Sequence, residues 1–501
     1  MFSGDLRAAS VAALLVSLGL WVPSVSEAEV GLAGPSDDVE ARINALQPGD
    51  ELILSGGMYA LSERFSLAIA GTESEPITIR AADGEVPHFH RPNANENIID
   101  IDQAEYVTIR GIELSGGSAG IRISGARFLT IESCEVRDTG DVAIRANDSG
   151  VTYESLRIVG NHIHHTNNTG EGMYLGCNNA ACEVTDSVIA GNYVHHTNQP
   201  SVSQGDGIEL KEGSYGNVIR DNVIHDTNYP CILTYASNGA PNTIERNVMW
   251  NCGDHGIQSA ADAVIRNNII LGASADGIAM QPHQSGSPEQ LVVVHNTVLS
   301  ASGDAMSLRG ISGSVVVANN ALYAQDGWAF FVNGGTAGLV FAGNAGMGAV
   351  SDGALTMLSG EIDVDFVGAS FDGAPPMSVF PSPGGALVSS GSAAHVVADD
   401  FNGTVREAVP DVGAYRFSAD GNPGWALAEA AKTSPANDDP GSAGTGGSIT
   451  GSGGSAGSSS AEPSGGSSGC RVASSNDAGV QLAVFLVCAL LGCRRRVATS
   501  S

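Results

Sequence analysis

Short apolar strands, each opened by an asparagine, recur through the middle of this chain at a near-constant interval. The units run Asn161-His-Ile-His-His165, Asn192-Tyr-Val-His-His196, Asn222-Val-Ile-His-Asp226 and Asn247-Val-Met-Trp250. They continue as Asn268-Ile-Ile270, Asn296-Thr-Val298, Asn320-Ala-Leu322 and Asn344, and two earlier units put Cys134 and Gly111 where the asparagine would stand. These ten positions are 23, 27, 31, 30, 25, 21, 28, 24 and 24 residues apart. Self-similarity on this scale is the mark of a solenoid. A leucine ladder is absent; the units are rich in Val and Ile and punctuated by Gly, Asn and Asp, which favours strands and turns. The expectation is an all-β chain, a single-stranded right-handed parallel β-helix. Each coil buries its alternate apolar residues only by stacking on its neighbours. An inward asparagine at one corner of every coil can hydrogen-bond the next and satisfy the turn backbone.

Within this scaffold one cation stands apart. The chain has two lysines, Lys211 and Lys432, against 21 arginines. Arginine stays protonated at any useful pH, whereas a desolvated lysine can give up its proton and act as a base. Lys211 lies in Gly207-Ile-Glu-Leu-Lys211, where alternation points Ile208 and Leu210 inward and Glu209 and Lys211 outward. The matching segments of neighbouring coils are Gly172–Gly176, Cys231–Tyr235, Gly256–Ala260 and Gly277–Gln281. This register gives Tyr174, Glu209, Lys211, Tyr235 and Gln258 one shared outer face, with Lys211 beside Tyr235.

Other polar residues repeat near that face. Glu171, Asp206, Asp254 and Asp276 precede the glycines of successive coils. With Glu209 they could bind a cation through oxygen, although Asp-Gly pairs also simply make turns. His164, His195 and His225 stack by register, and with His165 and His196 they form a histidine-rich edge expected near Lys211. One of them, His225 above all, could serve as acid or base. A ladder of turn residues is the plainer reading. His255 flanks the Lys211 face and is a further candidate catalytic residue, and no Cys/His spacing typical of a metal site is evident.

The ends of the chain read differently. Residues 1–28 resemble a secretory signal, with Arg7, an apolar run from Val11 to Val22 and small residues ending at Ala28 for cleavage. Asp37 to Leu46 is predicted to form an amphipathic helix capped by Ser36, closing the exposed end of the solenoid. The β-helix domain is expected to span 29–419, followed by a Gly/Ser-rich linker over 420–469. The tail, 470–501, has Cys470, an apolar run from Val480 to Leu491 and an arginine cluster. That run is shorter than the roughly 20 residues of a membrane span. It resembles the C-terminal sorting signals of myxobacterial surface proteins, in which a cysteine matching Cys470 is the processing site. The protein is thus expected to be secreted or attached to the cell surface, with contact to membrane or envelope only through the tail.

A net charge of −31 argues against nucleic acid as a partner. Export permits disulfides. Cys177 and Cys182 flank a short loop, and Cys231 and Cys252 are about one coil apart; both pairs are expected to be bridged. Cys134 reads as a buried thiol.

Several segments together resemble the pectate-lyase-like superfamily of right-handed parallel β-helix proteins. Leu46-Gln-Pro-Gly-Asp-Glu-Leu-Ile-Leu54 is similar to its usual first coil. Gly71-Thr-Glu-Ser-Glu-Pro-Ile-Thr-Ile-Arg80 is similar to an early coil of polysaccharide lyase family 6, the chondroitinase B and alginate lyase type. Pro410-Asp-Val-Gly-Ala-Tyr415 resembles a closing segment of secreted β-helix proteins. In family 6 lyases a lysine is the base, an arginine one coil away the acid, and calcium held by acidic residues neutralises the uronate carboxylate. The resemblance implies Lys211 as base and calcium near Glu171, Asp206 and Glu209. Tyr235 stands where the arginine would be, and tyrosine serves as acid in other lyases. Gly253-Asp-His-Gly256 lacks the aspartate cluster of the polygalacturonase-type hydrolases. The leading expectation is a monomeric lyase acting on an acidic, uronate-containing polysaccharide by β-elimination, with Tyr174, Glu209 and Gln258 at the substrate. A non-catalytic carbohydrate-binding or structural protein, mildly disfavoured by 5% aromatic content, and a uronate C5-epimerase are the alternatives.

Overall fold

In a computed structural model, residues 28–433 are described, apart from 285, 312 and 335. The expected signal segment before Ala28, and everything after residue 433 with Cys470, lie outside the described residues.

Parallel strands stack into a right-handed β-solenoid of about 13 turns. Each middle coil contributes three short strands. In one coil they are His162–His164 on a first face, Met173–Leu175 on a second and Val188–Ala190 on a third. The next coil repeats them as Tyr193–Thr197, Ile208–Leu210 and Val218–Arg220, each in parallel register with its predecessor. Ile163, Met173, Ile189, Val194, Ile208 and Ile219 all point into one continuous apolar core. A coil offers only a few such residues, so none holds its shape without the stack.

The asparagine corner follows from chemistry repeated at every step. Asn222 Nδ2 donates to Asn247 Oδ1 at 2.9 Å and to the Ile189 carbonyl at 3.0 Å, and Asn222 Oδ1 accepts the Asn192 backbone N–H at 2.9 Å. The same pattern continues from Asn161 through Asn344. The residue just before each ladder asparagine takes a left-handed backbone, as Asp221 (φ 57), Arg246 (φ 55) and Asn267 (φ 55) show. A sharp corner needs that conformation, and Gly, Asn and Asp bear it most cheaply.

The ladder corrects the sequence reading at its start. Register aligns Gly111 with Ser133, both left-handed (φ 74 and 52), so Ile112, not Gly111, holds the ladder position opposite Cys134. Cys134 occupies its expected place: its N–H donates to Asn161 Oδ1 at 3.0 Å, and burial pushes its thiol up to about 11. A second ladder at the start of the third face, Ser187–Asn217–Asn242, escaped the sequence pattern.

The N-terminal helix is shorter than expected, Val39–Asn44, and its cap is Asp38, whose carboxylate accepts the Ala41 N–H, rather than Ser36. At the other end the chain stays packed past residue 419. Trp425 and Leu427 pack on a cluster that includes Trp250 and Phe401. Lys432 Nζ donates to Asp221 Oδ1 and to the Phe401 carbonyl, each at 2.7 Å. The first part of the expected linker is therefore a strap along the middle coils, where Lys432 joins Arg246 on the buried Asp221 carboxylate.

Candidate functional site

The second face carries the chemistry-bearing side chains. Ile208–Leu210 lies between Met173–Leu175 and Ile232–Thr234, so Tyr174, Glu209, Leu233 and, one coil on, Gln258 form an outward column. Lys211 and Tyr235 follow immediately after the ends of these strands. Lys211 Nζ donates to Glu209 Oε1 at 3.0 Å and lies 4.0 Å from Glu212 Oε2. It also sits 3.8 Å from the centre of the Tyr235 ring and 5.4 Å from that of Tyr174.

Outward does not mean exposed here. Lys211 is 3% and Glu209 2% accessible. Loops following neighbouring strands wall them in. Tyr174 Oη donates to Asn178 Oδ1 in the loop closed by the Cys177–Cys182 disulfide. Gln284, in the loop after Ile278–Met280, donates to Tyr235 Oη at 3.2 Å, and the His283 ring lies 5.3 Å from that of Tyr235. Gln258 is buried in its column. The Cys231–Cys252 bridge also forms and ties adjacent coils at the entry to this face.

Three carboxylates meet beside the amine. Glu171, Asp206 and Glu209 each offer an oxygen, and the three oxygens lie within 4.8 Å of one another. All three groups are buried, and Glu171 Oε2, Asp206 Oδ1 and Glu209 Oε2 have no hydrogen-bond partner, as does Glu212 Oε2. Burial, then the charge of Glu209, pushes the Glu171 carboxyl up to about 7. Burial and the neighbouring acids hold Asp206 well above the usual range, and burial raises Glu209 despite Lys211. Burial first, then Glu209, pushes the Tyr235 hydroxyl far above its ordinary value, so it stays protonated. Such a set of unpaired buried oxygens suits a hard divalent cation, which takes oxygen ligands in flexible geometry.

Other expected residues go elsewhere. Asp254 and Asp276 do not extend this cluster. Register puts Pro230, His255 and Asp276 in the positions that follow Glu171 and Asp206, with Asp254 one residue out of line. Asp276 is taken by Ser307 and Arg309 at 2.6 and 2.8 Å. His255 accepts the Asp276 N–H through Nδ1 at 3.1 Å and faces Asp254. The histidine stack forms, but on the first face. His225 contacts Asp226, Tyr193 and Trp250, and among the described residues no hydrogen bond or ring contact joins it to Lys211. The turn between the faces separates them. The imidazole that does adjoin the Lys211–Tyr235 pair is His283, which burial and the nearby Lys211 charge hold below its ordinary value. Only its position three residues after Met280 could have marked it.

A family model described as a Pel9A-like, right handed beta helix region matches residues 23–263, and over that stretch the chain is similar to that family. Solved structures with similar folds include three lyases. The pectate lyase Pel9A is 15% identical, with 79% of this chain and 98% of that one covered and a TM-score of 0.47. An alginate lyase from Paenibacillus sp. str. FPU-7 is 18% identical, covering 65% and 99%, with a TM-score of 0.43. A mannuronic acid specific polysaccharide family 6 lyase from human gut microbiota is 19% identical, covering 66% and 88%, with a TM-score of 0.42. No curated protein matches the chain.

Proposed function

We propose that this protein is a polysaccharide lyase that cleaves a uronate-containing glycan by β-elimination. One observation carries the reading: Lys211 is held 3.0 Å from Glu209 at the edge of a buried carboxylate cluster with unpaired oxygens. Glu171, Asp206 and Glu209 would hold calcium. When bound, it supplies positive charge that neutralises the uronate carboxylate and makes the neighbouring C5 proton more acidic. Lys211, as the free amine, takes the C5 proton. The electron pair forms the C4–C5 double bond and the C4–O bond breaks. Tyr235, kept protonated by its surroundings, gives its proton to the leaving glycosidic oxygen. Tyr174 and Gln258 border the same column and would position the sugar. The walls of buried side chains exclude water from the proton transfer.

Export is part of the proposal, supported by the signal-like segment ending at Ala28 and by two disulfides in the folded region. The test is ultraviolet absorbance from new unsaturated uronates on pectate, alginate and glycosaminoglycans, with calcium and with chelator. The signal is expected with calcium and absent in Lys211→Ala. Folded wild-type protein that yields none on any uronate would sink the reading. The deep burial of Lys211 favours one competitor, a non-catalytic glycan-binding or structural protein in which Lys211 merely balances Glu209. Glycan binding without product would support that competitor. Inversion at C5 without a double bond would instead assign an epimerase.

A further inference from the structure

The first face carries a second polar constellation that the lyase chemistry leaves unused. Register places Glu135, His162 and Tyr193 in one outward column and Arg137, His164, His195 and His225 in the next. The His164 and His195 rings are parallel with centroids 5.0 Å apart, and His195 and His225 follow at 5.1 Å. Three imidazole pairs meet nitrogen to nitrogen. His162 Nε2 and His195 Nε2 are 2.8 Å apart, His164 Nδ1 and His165 Nδ1 2.7 Å, and His195 Nδ1 and His196 Nδ1 2.6 Å. Two nitrogens so close share a single proton between them. Neutral imidazole is the form that ligates metals.

At the outer end of the stack Glu135 Oε1 lies 3.2 Å from His164 Nε2. One ligand atom from each of Glu135, His162 and His164 falls within 4.8 Å of the others. The Glu135 side chain is 40% exposed, which leaves an ion a way in. We propose that Glu135, His162 and His164 form a binding site for a divalent transition-metal ion, zinc being the ion to test. Two imidazoles and one carboxylate are the donor set that zinc takes and calcium does not, the reverse of the all-oxygen cluster on the second face. His165 holds the remaining nitrogen of His164, the kind of outer partner that fixes a ligating ring. Arg137 Nε also approaches Glu135 Oε1, at 3.4 Å, but its guanidinium is anchored on Glu113 and Asp138, so an ion displaces that long contact and the His164–Glu135 hydrogen bond while the anchors stay.

The test uses the full chain without a histidine tag, stripped with chelator. Zinc is titrated by calorimetry and cobalt(II) by its visible absorbance. The expected result is one ion per chain with a dissociation constant of about micromolar or tighter. Glu135→Gln and His162→Gln should each weaken binding by at least about tenfold and remove the cobalt band. Glu209→Gln, on the second face, should leave it unchanged. Because Glu135 lies at the surface, Glu135→Gln retains the fold, checked by an unchanged melting temperature. No zinc binding by wild type, or binding that survives both substitutions, overturns the assignment and leaves the lyase proposal untouched.

Discussion

Two stacks of buried polar side chains run along this solenoid, and they solve the same problem in opposite ways. At the asparagine corner every donor meets an acceptor one coil away: Asn247 Nδ2 reaches Asn268 Oδ1 at 3.0 Å and the Ile219 carbonyl at 2.9 Å. The amide is neutral and carries both a donor and an acceptor, so a column of identical amides closes on itself. On the second face, Glu171, Asp206, Glu209 and Glu212 when ionised carry acceptors only, and each leaves one oxygen without a partner. One lysine is too little for four acids. The first stack is complete as it stands. The second is complete only with something from outside, and that difference separates a structural ladder from a site.

The contrast can be broken most sharply at the amine. Lys211→Ala is expected to lower turnover on the responsive uronate glycan by about a thousandfold, measured as the rate of double-bond formation, while the melting temperature shows the fold intact. At the corner, Asn222→Ala should cost about 3 kcal/mol of stability, because it strands the Asn192 N–H and the Ile189 carbonyl in the core. Denaturant titration reads that loss, and calcium affinity should not change. Tyr235→Phe, which deletes a hydroxyl and little packing, should slow the reaction by about a hundredfold with the Michaelis constant nearly unmoved; a wild-type rate would remove Tyr235 from the mechanism.

The subtlest distinction is in pH. A carboxyl whose pKa is raised by folding holds its proton more tightly in the folded chain. The stability it contributes is present below its unfolded value of 4.5 and is lost as pH rises through about 7 for Glu171. Asp206 and Glu209 shift in the same direction. Without divalent cation the melting temperature should therefore fall by a few degrees across that window, and calcium should restore it at the upper end. Glu171→Gln should flatten the profile. The asparagine ladder has no titrating group and should add nothing to it.

Much of this was legible because the period and the alternation are local facts. The run Gly207-Ile-Glu-Leu-Lys211 alone shows that Glu209 and Lys211 leave the core on one side. What failed depended on the turns, whose lengths vary from coil to coil. Asp254 looks like the partner of Asp206 until register moves His255 into that position. Gly111 looks like a ladder residue but is the left-handed corner before one. The burial of Lys211, and the presence of His283 beside Tyr235, come from loops that fold back over the face, and no spacing encodes that. The histidine stack was visible as a column, yet its sheet was not, because two outward columns on different faces have the same period.

The C-terminal strap changes what kind of object the solenoid is. A plain stack of coils has contacts only between neighbours, so it can peel open from an end one turn at a time. Here Arg406 Nη2 donates to Asn267 Oδ1 at 2.8 Å across 139 residues, and Lys432 reaches Asp221 across 211. Arg406 and Lys432 lie along the middle of the stack and bind coils made long before. Peeling from the C-terminal end must first pull out a buried ammonium, so the coils under the strap should open together rather than in sequence. Such distant pairings also slow folding, because the chain has to bring remote segments together before they are rewarded. A protein cut at residue 419 would keep its coils and the Arg406 tie but lose the Lys432 clasp, and its unfolding should turn from one sharp transition into a more gradual one.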